Sequence, residues 1–162
     1  MGIQLYRIDD RLIHGQVVVG WGQPLNIRFL VLVDDLVASS DWEQDLYRMA
    51  VPPEMEIHFA DVETAIRDHG RYACDPRPGI LITGDIASML RLVKGVKAIG
   101  SVNLGGIHHR AGRDQKLRYV FLGADEEMEL RALESSGVEV IAQDVPSARA
   151  RSLAEVLEGE SK

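Results

Sequence analysis

The run Phe29-Leu30-Val31-Leu32-Val33, closed by Asp34-Asp35, contains no polar residue and no alternation. Five apolar residues are too few for an ordinary helix, and they leave no wet face for a half-exposed strand. Ile80-Leu81-Ile82-Thr83 reads the same way. Strands of this kind belong in a parallel sheet covered on both faces.

Working outward, further β-branched runs stand at Gly2–Ile8, Ile27–Val33, Met55–Phe59, Val96–Val102, Leu117–Leu122 and Val138–Ala142. Between them, apolar residues recur at helical spacing over Gly15–Gln23, Asp41–Ala50, Asp61–Tyr72, Asp85–Val93, Asp125–Ser136 and Ser147–Leu157. Asp41, Asp61, Asp85, Asp125 and Ser147 stand where a side-chain oxygen accepts from free helix amides. The alternation predicts an α/β fold: a three-layer sandwich with an open, mostly parallel sheet of six or seven strands flanked by helices. One domain over residues 1–162 is expected, with fraying at Gly159-Glu160-Ser161-Lys162.

The chain has 162 residues, of which 46% are hydrophobic and 27% charged, in the range of ordinary globular domains. Cys74 is its one cysteine, which excludes an internal disulfide and points to a reducing, cytoplasmic setting. No apolar run approaches the roughly 20 residues of a membrane span, and the N-terminus is too polar for a signal peptide. The formal charge of −7 would repel nucleic-acid phosphates, so no nucleic-acid partner is expected.

In parallel sheets the ligand crevice lies beyond the carboxyl ends of the strands. The loop there after the first strand reads Asp9-Asp10-Arg11-Leu12-Ile13-His14-Gly15-Gln16. It sets His14 just before the first predicted helix, whose free amides and positive end favour an anion. A neutral imidazole is nucleophilic near pH 7 and can accept and pass on a phosphoryl group. Gly15 lets the backbone approach a bulky phosphate, with Gln16 beside it. Phosphoryl transfer chiefly needs in-line positioning and donors for the equatorial oxygens, and the planar forks of Arg11 and Arg7 suit that role. Asp9 or Asp10 is the candidate to hold the second imidazole nitrogen, or else to cap the loop backbone.

Asn103-Leu104-Gly105-Gly106 is a candidate crevice loop, phosphate-facing or merely a tight turn, and it opens the long aperiodic stretch to Lys116. His108 and His109 beside Asp114 offer metal-ligand types, but adjacent residues seldom converge on one ion, and no metal is expected. Asp34 and Asp35 would repel phosphate and read as backbone caps or partner selectors. His58 and His69 read as an ordinary strand position and a helix face, while Trp21, Trp42 and Phe29 have core-like spacing. Neither GxGxxG nor GxxxxGK[ST] occurs, so ATP and NAD find no local support.

The segment Arg7-Ile8-Asp9-Asp10-Arg11-Leu12-Ile13-His14-Gly15-Gln16-Val17 with Trp21 resembles the signature of the IIB component of the mannose/fructose/sorbose family of the sugar phosphotransferase system (PTS). Val33-Asp34-Asp35, Val37-Ala38, Asp41, Ala50, Pro52, Asn103-Leu104-Gly105-Gly106, Gly137 and Val145-Pro146 extend the likeness over Met1 to Leu157. Val19-Gly20 stands where the family more usually carries a polar pair.

The resemblance implies a protein-Nπ-phosphohistidine–sugar phosphotransferase. In it a IIA protein phosphorylates His14, and the group passes to a sugar during uptake through membrane IIC and IID subunits. It implies an open α/β sheet and no metal or organic cofactor. Two alternatives remain at this level: a regulatory protein that reports PTS status through the same histidine, and an α/β enzyme using His14 as acid or base on a phosphorylated metabolite.

Overall fold

The computed structural model describes residues 1–159; the fraying expected over Glu160, Ser161 and Lys162 lies outside the described residues. In chain order the elements are β1 (Gly2–Ile8), a π-helical segment (Gln16–Trp21), β2 (Phe29–Val33), a 3-10 turn (Val37–Ser39), α1 (Asp41–Ala50), β3 (Glu56–Ala60), α2 (Val62–Ala73), β4 (Pro78–Thr83) and α3 (Ile86–Gly95). They continue with β5 (Ser101–Leu104), β6 (Asp114–Leu117), β7 (Val120–Leu122), α4 (Ala124–Ser135), β8 (Glu139–Ala142), β9 (Arg151–Ser152) and α5 (Leu153–Glu158).

Seven strands form one sheet in the order β3-β2-β4-β1-β5-β8-β9, parallel throughout except where β9 runs against β8. Every residue of β2 and of β4 is buried, as their unbroken apolar character requires. The pleat sends alternate residues to opposite layers. Phe29, Val31 and Val33 enter one core with Val62, Met89, Leu92, Leu130 and Val156. Leu30 and Leu32 enter the other with Leu12, Ile13, Val17, Val18 and Trp21. At about 1.5–3 kcal/mol for each large apolar side chain withdrawn from water, these two cores hold the three layers together.

Asp61 and Asp85 cap their helices, accepting from the amides of Thr64 (2.7 Å) and Ser88 (2.6 Å). Other expectations need correction. The run Leu117–Leu122 is not one strand of the main sheet: it breaks at Arg118-Tyr119 into the end of β6 and β7, an antiparallel pair of its own. The seventh strand of the main sheet is β9, and the last helix starts at Leu153, capped by Ser152 instead of Ser147. Of Val96–Val102, only the last two residues belong to a strand. Trp42 does not enter a core. It is 68% exposed, because α1 buries none of its residues.

Strand β1 feeds β2 on one side of itself, whereas its neighbour β5 feeds β8 on the other. Connections that diverge in this way leave a crevice at the carboxyl ends of the two strands. The loops after β1 and β5 meet there, held by Gly105 N donating to Ile8 O (2.7 Å) and Asp10 N to Gly106 O (2.9 Å).

Candidate functional site

Leaving β1, the chain turns at once: Leu12 N donates to Asp9 O at 2.9 Å, and Leu12 takes a positive φ of 58°. A left-handed leucine costs on the order of 1 kcal/mol, offset here by burial of its side chain in the core under the π-helical segment. The turn holds His14 partly buried at the crevice mouth, its side chain 16% exposed.

Asp9 is the hub. Its side chain is inaccessible to solvent, yet Oδ2 accepts from Arg7 Nη2 and meets His14 Nε2, both at 3.0 Å, while Oδ1 accepts from the Arg11 amide at 3.1 Å. Burial pushes the Asp9 carboxyl upward, but the hydrogen bond from His14 and the charges of Arg7 and His14 outweigh it and bring it down to about 2. An ionised carboxylate only accepts, so the His14 nitrogen facing it carries the proton. In the neutral ring the lone pair then sits on Nδ1, which has no protein partner among the described residues. Asp9 is thus the residue on the second imidazole nitrogen, and Asp10 is not.

Asp10 turns instead to the other loop, where Oδ1 meets His108 Nδ1 at 2.6 Å and Oδ2 accepts from the His108 amide at 2.7 Å. Arg11 is exposed at the rim, with Nη2 donating to Gln16 Oε1 at 2.5 Å. Gln16 Nε2 reaches Asp144 Oδ2 at 3.4 Å.

Arg7 is placed differently from Arg11. It is fully buried, and its fork is spent on Asp9, Asn103 Oδ1 (2.5 Å) and the carbonyls of Gln143 and Asp144 (3.0 and 3.1 Å). Arg7 is thus closed to solvent and braces Asp9, with Nε as its one donor left without a partner among the described residues. Burial pulls its guanidinium pKa down, against the raising effect of Asp9. Asn103 serves the same support and is itself buried. Gly105 lies flat on the guanidinium: a Cβ there would stand 2.4 Å from Arg7 Cζ. Gly106 backs the site between Asp9 and Arg11, whereas Gly15 faces open space.

Two amides at the start of the π-helical segment are engaged. Those of Val17 and Val18 both return to the His14 carbonyl at 3.0 Å, and the segment winds with π spacing, Gly22 N donating to Val17 O. Two contributors escaped the sequence reading. Trp21 Nε1 donates to Asp144 O at 2.9 Å beneath the site, with its ring 5.6 Å from Arg7 Cζ. Arg118, at the β6–β7 turn, lines the crevice with Arg11, Gln16, Gly106, His108 and Asp144. The dipeptide Arg118-Tyr119 interrupting an apolar run was the available signal for that turn.

Among the described residues no group of His, Cys, Asp and Glu is arranged to hold a metal ion. No helix of the described residues is long and apolar enough to cross a membrane.

Residues 3–162 match the family described as PTS system sorbose subfamily IIB component. The chain is 36% identical over 148 residues to the N-acetylgalactosamine-specific phosphotransferase enzyme IIB component 1 of Escherichia coli, covering 89% of this chain and 91% of that protein. It is 35% identical over 142 residues to the mannose-specific EIIAB component of Escherichia coli, covering 86% of this chain and 43% of that protein. Its fold superposes on the IIBSor domain of the sorbose permease from Klebsiella pneumoniae with a TM-score of 0.88 at 28% identity, covering 98% of both chains.

Proposed function

Since this chain belongs to the sorbose subfamily of PTS IIB components, phosphotransferases that carry phosphoryl groups in sugar uptake, we propose that His14 is its phosphoryl carrier and Nδ1 the atom that bonds to phosphorus. The observation behind this assignment is the 3.0 Å contact between Asp9 and His14 Nε2, which leaves the lone pair at Nδ1.

In the loading step the Nδ1 lone pair attacks the donor's phosphorus in line while the donor's bond to phosphorus breaks. The Nε2 proton stays between the ring and Asp9 throughout, so His14 has no proton to lose. The positive charge that develops on the ring is met by the Asp9 carboxylate. Arg11, backed by Gln16, supplies the exposed guanidinium for the equatorial oxygens, and Gly15 and Gly106 leave room around them.

The partners on this reading are a IIA protein as donor and membrane IIC and IID subunits that present a hexose or hexose derivative. Relatives named for sorbose, N-acetylgalactosamine and mannose support that sugar class, and the EIIAB relative supports a IIA donor. The reading treats the chain as one IIB domain working in the cytoplasm. Incubation with phosphorylated IIA, followed by site mapping that preserves acid-labile P–N bonds, tests it. One phosphoryl group on His14, absent from His14→Ala, is the expected result; label on another residue, or none from an active donor, overturns it.

A further inference from the structure

The two half-reactions of a phosphohistidine carrier differ in their protons. Loading His14 needs no base, because the attacking nitrogen bears only a lone pair. Unloading onto a sugar does, because the attacking hydroxyl must lose a proton as its oxygen bonds to phosphorus. His14 cannot collect that proton during attack, since in-line displacement sets the departing Nδ1 on the opposite side of phosphorus.

Asp9 and Asp10 are neighbours in sequence, and each anchors one imidazole through the opposite nitrogen: Asp9 holds His14 at Nε2, and Asp10 holds His108 at Nδ1, 2.6 Å away. An Asp10 carboxylate accepting at Nδ1 fixes the tautomer with its proton there, and Nε2 is left as the basic nitrogen. His108 lines the crevice shared with Arg11, Gln16 and Gly106. Its backbone is clamped at both ends, the amide on Asp10 and the carbonyl on Arg113, which is itself paired twice with Glu126. A side chain left only to solvate a loop would need no such clamp. The other candidates there are engaged: the His109 ring packs edge-on against Phe121, and Asp144 Oδ2 is shared between Gln16 Nε2 at 3.4 Å and Arg118 Nη2 at 3.9 Å.

We propose that His108, oriented by Asp10, is the general base for the acceptor hydroxyl in the unloading step; the proposal rests on His14 being the carrier. The hydroxyl oxygen bonds to phosphorus, the Nδ1–phosphorus bond of His14 breaks with its electrons returning to the ring, and the hydroxyl proton moves to His108 Nε2. The imidazolium so formed is held by the Asp10 carboxylate. Arg11 and Arg118 on the crevice walls oppose that charge, and Asp144 favours it.

The test follows both half-reactions in single turnover, with the full chain, phosphorylated IIA, and vesicles bearing the IIC and IID subunits with N-acetylgalactosamine, sorbose and mannose. His108→Gln is expected to load at the wild-type rate and to unload about tenfold slower or more. In His108→Ala, free imidazole restores unloading, and Asp10→Asn slows unloading in the same sense. Equal slowing of both halves, the mark of a merely structural clamp, overturns the proposal, as does no change in either. Failure of wild-type His14 to load overturns the carrier assignment instead.

Discussion

Arg7 Nη2 stands 3.0 Å from Asp9 Oδ2, and neither side chain is reached by solvent. The guanidinium of the signature is therefore a foundation under the carboxylate that anchors His14. Removing it would leave a buried carboxylate without its cation, whereas Arg11 is exposed at the rim and bonds Gln16. Arg7→Ala should lose about 3–5 kcal/mol of stability, against less than about 0.5 for Arg11→Ala. Urea unfolding midpoints measure the difference, and phosphotransfer should fall in both.

Gly105 and Gly15 separate a steric glycine from a permissive one. A methyl at 105 would collide with Arg7, costing about 1–3 kcal/mol. Position 15 is helical (φ −54°, ψ −40°) with nothing near its Cβ, so Gly15→Ala should gain about 0.4–1 kcal/mol. Thermal melts of the two variants should move in opposite directions.

Asp9 predicts an acid limb. Its pKa falls on folding from 3.8 to about 2, so the stability it contributes, on the order of 2 kcal/mol, is present above pH 4 and drains away as pH falls through 2. The unfolding free energy of Asp9→Asn, followed by denaturant titration, should vary less steeply over that interval than that of the wild type.

His69, read from sequence as lying on a helix face, is buried and bonded through Nε2 to the Tyr6 hydroxyl at 2.6 Å. Burial lowers its pKa below 6.5 and pushes Tyr6 up to about 12, so the phenol keeps its proton. Protonating the ring is then less favourable folded than unfolded. Stability should drop as pH falls below 6.5, and His69→Gln should flatten that slope. The ring resonances of His69 in an NMR titration should move at lower pH than those of a free histidine.

The two tryptophans should behave oppositely. Trp21→Phe removes one of the two donors to the Asp144 carbonyl, leaving Arg7 Nη2, and should cost about 0.5–1.5 kcal/mol. Trp42→Gln, on the outer face of α1, should change stability by less than about 0.5 kcal/mol. Calorimetry of both variants checks the pair.

The sheet was legible because β2 and β4 are buried on both faces, and burial of that kind writes itself into local composition: Phe29 to Val33 holds no polar residue at all. The proposed nucleophile was legible because His14, Arg11 and their aspartates lie within a few residues of one another, where the order of residue types already points to that chemistry. Edge and hairpin elements were misread where pairing, more than composition, makes the strand. Leu117–Leu122 is apolar enough for a core strand, yet a turn splits it, and Arg151–Ser152 pairs with β8 despite a polar sequence.

By itself the amino-acid order determined the layered architecture and singled out the candidate imidazole with the arginines proposed to support it, since these follow from patterns within single segments. Only tertiary structure decided which arginine faces outward, which aspartate holds which histidine, and that Gln143, Asp144 and Trp21 meet beneath Arg7. The reason is physical: these roles depend on burial and on partners as far as 137 residues away, and a side chain's type does not say whether its charge is spent inside the protein or offered to a ligand.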